Sequence, residues 1–225
     1  MFDGCENFNQ DIGNWNVINV TNMNSMFRDC NKFNKDIGNW DVSNVTDMIS
    51  MFYCSNFNQD IGNWNVGNVT NMSSMFYKCY YFNQDIGNWN VSNVTDMSSM
   101  FHCCYYFDQD IGNWNVINVR KMGSMFYNCH NFNQYIGDWD VGNVISTNEM
   151  FGQCRNFNQY IGDWDVNNII DMRYMFSDSY KFNENIENWN ITNTNDGTVN
   201  IFFRTYMYDQ YIDRRFCNEI LYELI

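Results

Sequence analysis

A tryptophan recurs at Trp15, Trp40, Trp64, Trp89, Trp114, Trp139, Trp164 and Trp189, in steps of 25 residues that shorten once to 24. Around each lies a copy of one unit, seen in full as Phe82-Asn-Gln-Asp-Ile-Gly-Asn-Trp89-Asn-Val-Ser-Asn-Val-Thr-Asp-Met-Ser-Ser-Met100-Phe101. A fixed period of roughly 20–50 residues restricts a chain to an array in which each unit packs on its neighbours and none closes a core alone. Apolar residues suffice for such a core. They make up 45 % of the chain, with 19 % aromatic, although the mean hydropathy is polar at -0.50.

Aligned, the copies form columns. Phe8, Phe33, Phe57, Phe82, Phe107, Phe132, Phe157 and Phe182 form one, and Ile12 through Ile186 another. Trp and Val two residues apart predict a short strand at Asn14–Val17 and its equivalents, in a parallel sheet along the array. Val20, Met23 and Phe27, with Met26 beside them, have the i, i+3, i+7 spacing of a helix face. Thr21 or Asn19 would cap that two-turn helix. The glycines before each strand, Gly13 to Gly162, mark positive φ or a close backbone approach; the eighth copy has Glu187 there. Asn19, Asn44, Asn68, Asn93, Asn118, Asn143, Asn168 and Asn193 predict an inward ladder in which each amide donates to the next. The sequons that begin at Asn19, Asn44, Asn68 and Asn93 are read as by-products of this ladder.

The expected fold is α/β: a right-handed βα solenoid, leucine-rich-repeat-like, of about eight turns with one strand and one helical segment each. The array occupies residues 1–199. From Gly197 the pattern fails, with Gly197 and Asn200 at the Met positions and Ile201 at the Phe position. Residues 200–225 form a C-terminal helical cap, with Met207, Tyr211, Ile212, Phe216, Ile220 and Leu224 on one side of an amphipathic helix over Tyr206–Leu224.

Cys5, Cys30, Cys79, Cys104, Cys129 and Cys154 fall three residues after the Phe of Met-Phe, with Cys54 two after and Ser179 in the next-to-last turn. A ladder with parallel Cβ vectors is poor disulfide geometry, so reduced buried thiols are expected. His102, Cys103, Cys104, Cys129 and His130 match no standard zinc spacing.

The formal charge of -14 excludes binding of nucleic acid by phosphate neutralisation and docking on anionic membranes. No apolar run is long enough for membrane insertion. No Ser/His/Asp order, phosphate loop or metal motif points to catalysis or a cofactor, so no enzyme is expected. Asp11, Asp36, Asp60, Asp85 and Asp110 stack in one column, which then reads Tyr135, Tyr160 and Asn185. These aspartates either accept backbone hydrogen bonds or hold a cation such as Ca²⁺. The residues flanking each Trp form the expected open sheet face. Its candidate binding residues are Asn88, Asn90, Asn113 and Asn115 in the middle and the acidic Asp138, Asp140, Asp163 and Asp165 in copies six and seven.

The pattern Met-Phe-x-x-Cys-x-x-Phe-Asn-Gln-Asp-Ile-Gly-Asn-Trp-Asn-Val-Ser-Asn-Val-Thr-x-Met-Ser-x-Met-Phe resembles the BspA-like leucine-rich-repeat surface proteins, and more closely their 25-residue branch, over Met1 to about Asn193. The resemblance implies a leucine-rich-repeat-like solenoid and, for some members, adhesion at a cell or virion surface. No signal peptide is visible, and a reduced thiol ladder suits an intracellular place of synthesis. The expected function is a non-enzymatic module binding a protein or glycan. A structural, self-assembling component associating end to end through a bare first turn is the alternative. A cation- or ice-binding solenoid is a third class.

Overall fold

The computed structural model describes residues 1–191 and 200–205. The copies stack in sequence order, but not as a βα coil. Among the described residues no α-helix forms, and the only β pairing is a chain of isolated parallel bridges, Asn22↔Asp47↔Asn71↔Asp96↔Lys121↔Ser146↔Asp171. The expected strand at Asn14–Val17 and the expected helix at Val20–Phe27 are both absent, and the parallel pairing lies in the column after the Thr. The expected capping helix over Tyr206–Leu224 falls outside the described residues.

Each copy is instead a run of β-turns. Trp15 N donates to Ile12 O, Val20 N to Val17 O, Met26 N to Met23 O, Cys30 N to Phe27 O and Phe33 N to Cys30 O. Every one of these turns begins and ends on an apolar residue, so turns and buried side chains share a spacing of three. That spacing is also what a helix face shows. What separates the two is where the remaining N–H groups go. A helix would bond them four residues back. Here Met23 N reaches Asp47 O, Ser25 N Ile49 O, Phe27 N Met51 O and Asp29 N Tyr53 O, all in the next copy.

Two residues in each such segment take left-handed backbone, Ser25 (φ 52°) and Asp29 (φ 56°), and the pair recurs through to Asn200 and Arg204. Left-handed backbone costs a residue with a Cβ about 1–2 kcal/mol, so the stacking must offset it. In the first copy Gly4, at φ 72°, takes the Asp29 place, and is the one glycine with positive φ among the described residues.

Asparagine and aspartate start the other turns. Asp11 Oδ1 accepts from Gly13 N, Asn16 Oδ1 from Ile18 N and Asn22 Oδ1 from Asn24 N, giving up to three Asx-turns per copy. The Asn9 column links copies instead: Asn34 N donates to Asn9 Oδ1, Asn58 N to Asn34 Oδ1, and so on to Asn183. The Asn19 column is exposed and not inward from Asn19 to Asn168, Asn193 lying outside the described residues. Its amides donate to backbone of the preceding copy (Asn44 Nδ2 to Ile18 O, 2.9 Å; Asn68 Nδ2 to Ser43 O, 2.7 Å) and not to one another. The sequon asparagines Asn44, Asn68 and Asn93 are thereby engaged.

The core is a set of aromatic columns. Phe27, Phe52, Phe76, Phe101, Phe126, Phe151 and Phe176 stack ring on ring, with centroids 5.6–5.7 Å apart at each end of the series. Each also faces the Phe six residues on or its equivalent, as in Phe27–Phe33 at 4.0 Å. Trp ties the copies together: Trp40 Nε1 donates to Ile12 O at 3.1 Å, and each later Trp repeats the bond to the Ile of the preceding copy, to Trp189 and Ile161. The glycine before Trp is required by close approach and not by φ. A Cβ on Gly87 would sit 2.5 Å from Asp110 O of the next copy.

Residues 200–205 form a further turn of the Met-Phe type. Phe176 N donates to Ile201 O and the Phe176 and Phe202 rings stack at 5.7 Å. Ile201 therefore takes the second Met place and Phe202 the Phe place, one residue later than the sequence suggested.

Candidate interaction surfaces

The aspartates of the first column are committed to turns. Asp36, Asp60, Asp85 and Asp110 accept from the N of Gly38, Gly62, Gly87 and Gly112 at 2.9–3.0 Å, as Asp11 does for Gly13 at 3.1 Å. Each thus accepts a backbone hydrogen bond through Oδ1, one of the roles the sequence left open.

Where the column changes to tyrosine, a second position changes with it. Tyr135 OH donates to Asp138 Oδ1 at 3.0 Å and Tyr160 OH to Asp163 Oδ1 at 3.0 Å. Copies with Asp in the first place have Asn in the second. Tyr135 is exposed and Tyr160 half-buried, and the bonded carboxylate holds each phenol above its usual pKa. Each ring lies over Gly137 or Gly162 of its own copy, where a Cβ would meet it at 2.7–2.8 Å.

Asn88, Asn90, Asn113, Asn115, Asp138, Asp140, Asp163 and Asp165 are all exposed, in two columns either side of the buried Trp. They share a surface, though not that of a β-sheet. The second column is partly spent on its own backbone: Asn90 accepts from Ser92 N, Asn115 from Ile117 N, Asp140 from Gly142 N and Asp165 from Asn167 N. None of the four acidic residues joins an ion pair among the described residues.

The cysteine column points into the core from Cys30 on, but Cys5, which no preceding copy covers in the structure, is exposed and not buried as expected. Cys79, Cys104, Cys129 and Cys154 are buried and donate to the carbonyl of Phe52, Phe76, Phe101 and Phe126. The described cysteines are free, and burial pushes these four thiols up. Burial also raises Cys30, to about 11. Cys54 is not in this column. Ser55 takes the place, fully buried, donating to Cys30 O at 3.3 Å, while Cys54 stands at the left-handed position. The shortened copy loses its residue after this point, between Ser55 and Phe57.

A surface not anticipated from the sequence lies just outside this column. Tyr53, Tyr77, His102 and Tyr127 stack with centroids 4.5, 4.4 and 4.7 Å apart. Beside them Tyr80, Tyr105 and His130 stack at 4.9 Å each. Lys78 Nζ lies 5.5 Å from the Tyr77 ring centroid. His102 is pushed down to about 4, first by burial and then by the charge of Lys78. The available signal was the clustering of aromatic residues in copies three to five, at positions that differ between copies. His102 and His130 belong to this outer edge while Cys104 and Cys129 face inward, so the two residue types do not converge.

Family comparison agrees with this picture of repetition. The chain matches the model of a family described as "Mycoplasma protein of unknown function, DUF285", over residues 1–66, 53–154 and 131–216. The chain belongs to this family. The three overlapping DUF285 matches run along the repeats. No curated protein matches the chain.

Proposed function

We propose that this DUF285 chain is a non-catalytic interaction module. The stacked copies are a rigid support, and a protein or glycan partner is recognised by the exposed surface around Trp139 and Trp164. The observation that carries this reading is the paired change in copies six and seven. Asp-to-Tyr at 135 and 160 comes with Asn-to-Asp at 138 and 163, and each pair is hydrogen-bonded. Asp140 and Asp165 add two more exposed carboxylates next to them. The Asx-turn role of the column needs only Asp or Asn, so these changes serve something beyond the turn. Two phenols and four carboxylates in neighbouring copies suit cationic side chains or sugar hydroxyls. The resemblance to BspA-like surface proteins supports the same class.

The test compares the full chain with the variant carrying Asn at all four aspartates (Asp138→Asn, Asp140→Asn, Asp163→Asn, Asp165→Asn), on one panel of immobilised glycans and cell-surface proteins. The expected result is an unchanged melting temperature and loss of the wild-type binding profile. Identical profiles for the two chains would reject the reading.

A further inference from the structure

The aromatic edge carries an inference independent of that surface. Across five successive rungs, residues 53–56, 77–81, 102–106, 127–131 and 152–156, there is no Asp or Glu, in a chain with 26 of them. The rings cover one another's faces, so the edge presents ring rims, hydroxyls and imidazoles. Stacked faces are unavailable to a sugar ring. Three buried side-chain polar atoms in the described residues lack a hydrogen-bond partner, and all three are on this edge: His102 Nδ1, Asn128 Oδ1 and His130 Nε2. Such atoms cost about 1–3 kcal/mol each when left unpaired. All three atoms are shielded within the single chain, on residues that are themselves only half-buried at this edge.

We propose that this edge joins two copies of the chain, side by side and antiparallel, about a two-fold axis along the His102–Tyr106 rung. A second copy fits for two reasons. It has the same rise per rung, so the ladders match along their length. The charge of -14 makes two chains repel, and here they meet without opposing carboxylates. The two-fold axis also pairs groups that lack partners within one chain. Lys78 of one copy lies opposite Asn128 of the other, a cation for the free amide oxygen. Tyr80 lies opposite His130, a hydroxyl for the free imidazole nitrogen. Tyr106 faces Tyr106. Beyond these rungs Asp29 and Asp178 are each held by an arginine of their own copy, Arg28 at 3.3 Å and Arg204 at 3.8 Å.

Sedimentation of the full chain between about 1 and 200 µM tests this, the range suited to an interface below standard size. Mass should rise to that of a dimer, more readily at higher NaCl because screening weakens the net repulsion. Tyr106→Arg, at a residue 53 % exposed, sets two cations face to face and should weaken association at least tenfold without altering the melting temperature. Under oxidation, Tyr106→Cys should cross-link to itself. Tyr81→Cys should not, but should cross-link when mixed with Asn131→Cys. A monomer at every concentration and salt, association unaffected by Tyr106→Arg, or self-cross-linking of Tyr81→Cys as strong as that of Tyr106→Cys would each overturn the proposal.

Discussion

The first and fourth copies have nearly the same sequence around their tryptophans, Asp11-Ile-Gly-Asn-Trp15-Asn-Val17 and Asp85-Ile-Gly-Asn-Trp89-Asn-Val91. Their tryptophans do not have the same structure around them. Trp89 is 3 % exposed and donates to Ile61 O, while Trp15 is 43 % exposed. The local turn is the same in both, with Trp15 N on Ile12 O and Trp89 N on Ile86 O. The difference comes from the copy that precedes Trp89. A unit's own residues set its turns, and its neighbour supplies the burial and the inter-copy bonds, as expected where stability is a sum of nearest-neighbour terms.

Substitution at the two tryptophans should expose this contrast most strongly. Trp89→Ala is expected to cost about 3–5 kcal/mol, and Trp15→Ala about 1 kcal/mol or less, in denaturant unfolding of each variant. Equal costs would break the comparison. The next effect is steric. Gly87→Ala places a Cβ against Asp110 O and should cost about 3 kcal/mol, whereas Gly142→Ala meets only side-chain oxygens, Asp140 Oδ1 at 3.2 Å and Asp165 Oδ2 at 3.8 Å, and should cost under about 1 kcal/mol. Thermal unfolding of the pair checks this.

A third effect depends on pH. His102 has a folded pKa of about 4, below the usual 6.5. The unfolded chain therefore takes the proton first, so its contribution is fully present above pH 6.5 and is lost as pH falls towards 4. The groups around it are Tyr77 and Tyr127, stacked on its two faces, and Lys78. His102→Tyr continues the tyrosine column and should reduce the fall in melting temperature between pH 7 and 4.5; the same slope in both proteins would count against the account. The smallest effect has the opposite sign. Lys78 is left-handed at φ 58°, so Lys78→Gly should raise stability, by under about 1 kcal/mol after the entropy cost of glycine.

The repeat and most of its buried apolar columns were legible in the sequence, because burial follows the period whatever the backbone does; the exposed Asn19 column and the buried Ser55 were not. The backbone itself was not. Ile12–Trp15, Val17–Val20 and Met23–Met26 are spaced for helices and for β-turns alike, and the choice is made by inter-copy bonds such as Ser25 N to Ile49 O, which no single copy reveals. The chain has no alanine, the best helix former, and up to three Asx positions per copy, a composition that suits turns and was outweighed by the spacing. The same limit hid part of the candidate sites. Asp85 was visible as a carboxylate, but its bond to Gly87 N depends on the turn. The Tyr77–His102–Tyr127 stack depends on residues 25 apart lying one above the other.

Hydrogen exchange of the eight indole N–H groups tests the stacking most directly, with one tryptophan per copy. The account predicts seven protected indoles, Trp40 to Trp189, each bonded to the Ile carbonyl of the copy before, and rapid exchange at Trp15 alone. Protection of Trp15 equal to that of Trp89, or rapid exchange at the interior indoles, would contradict it.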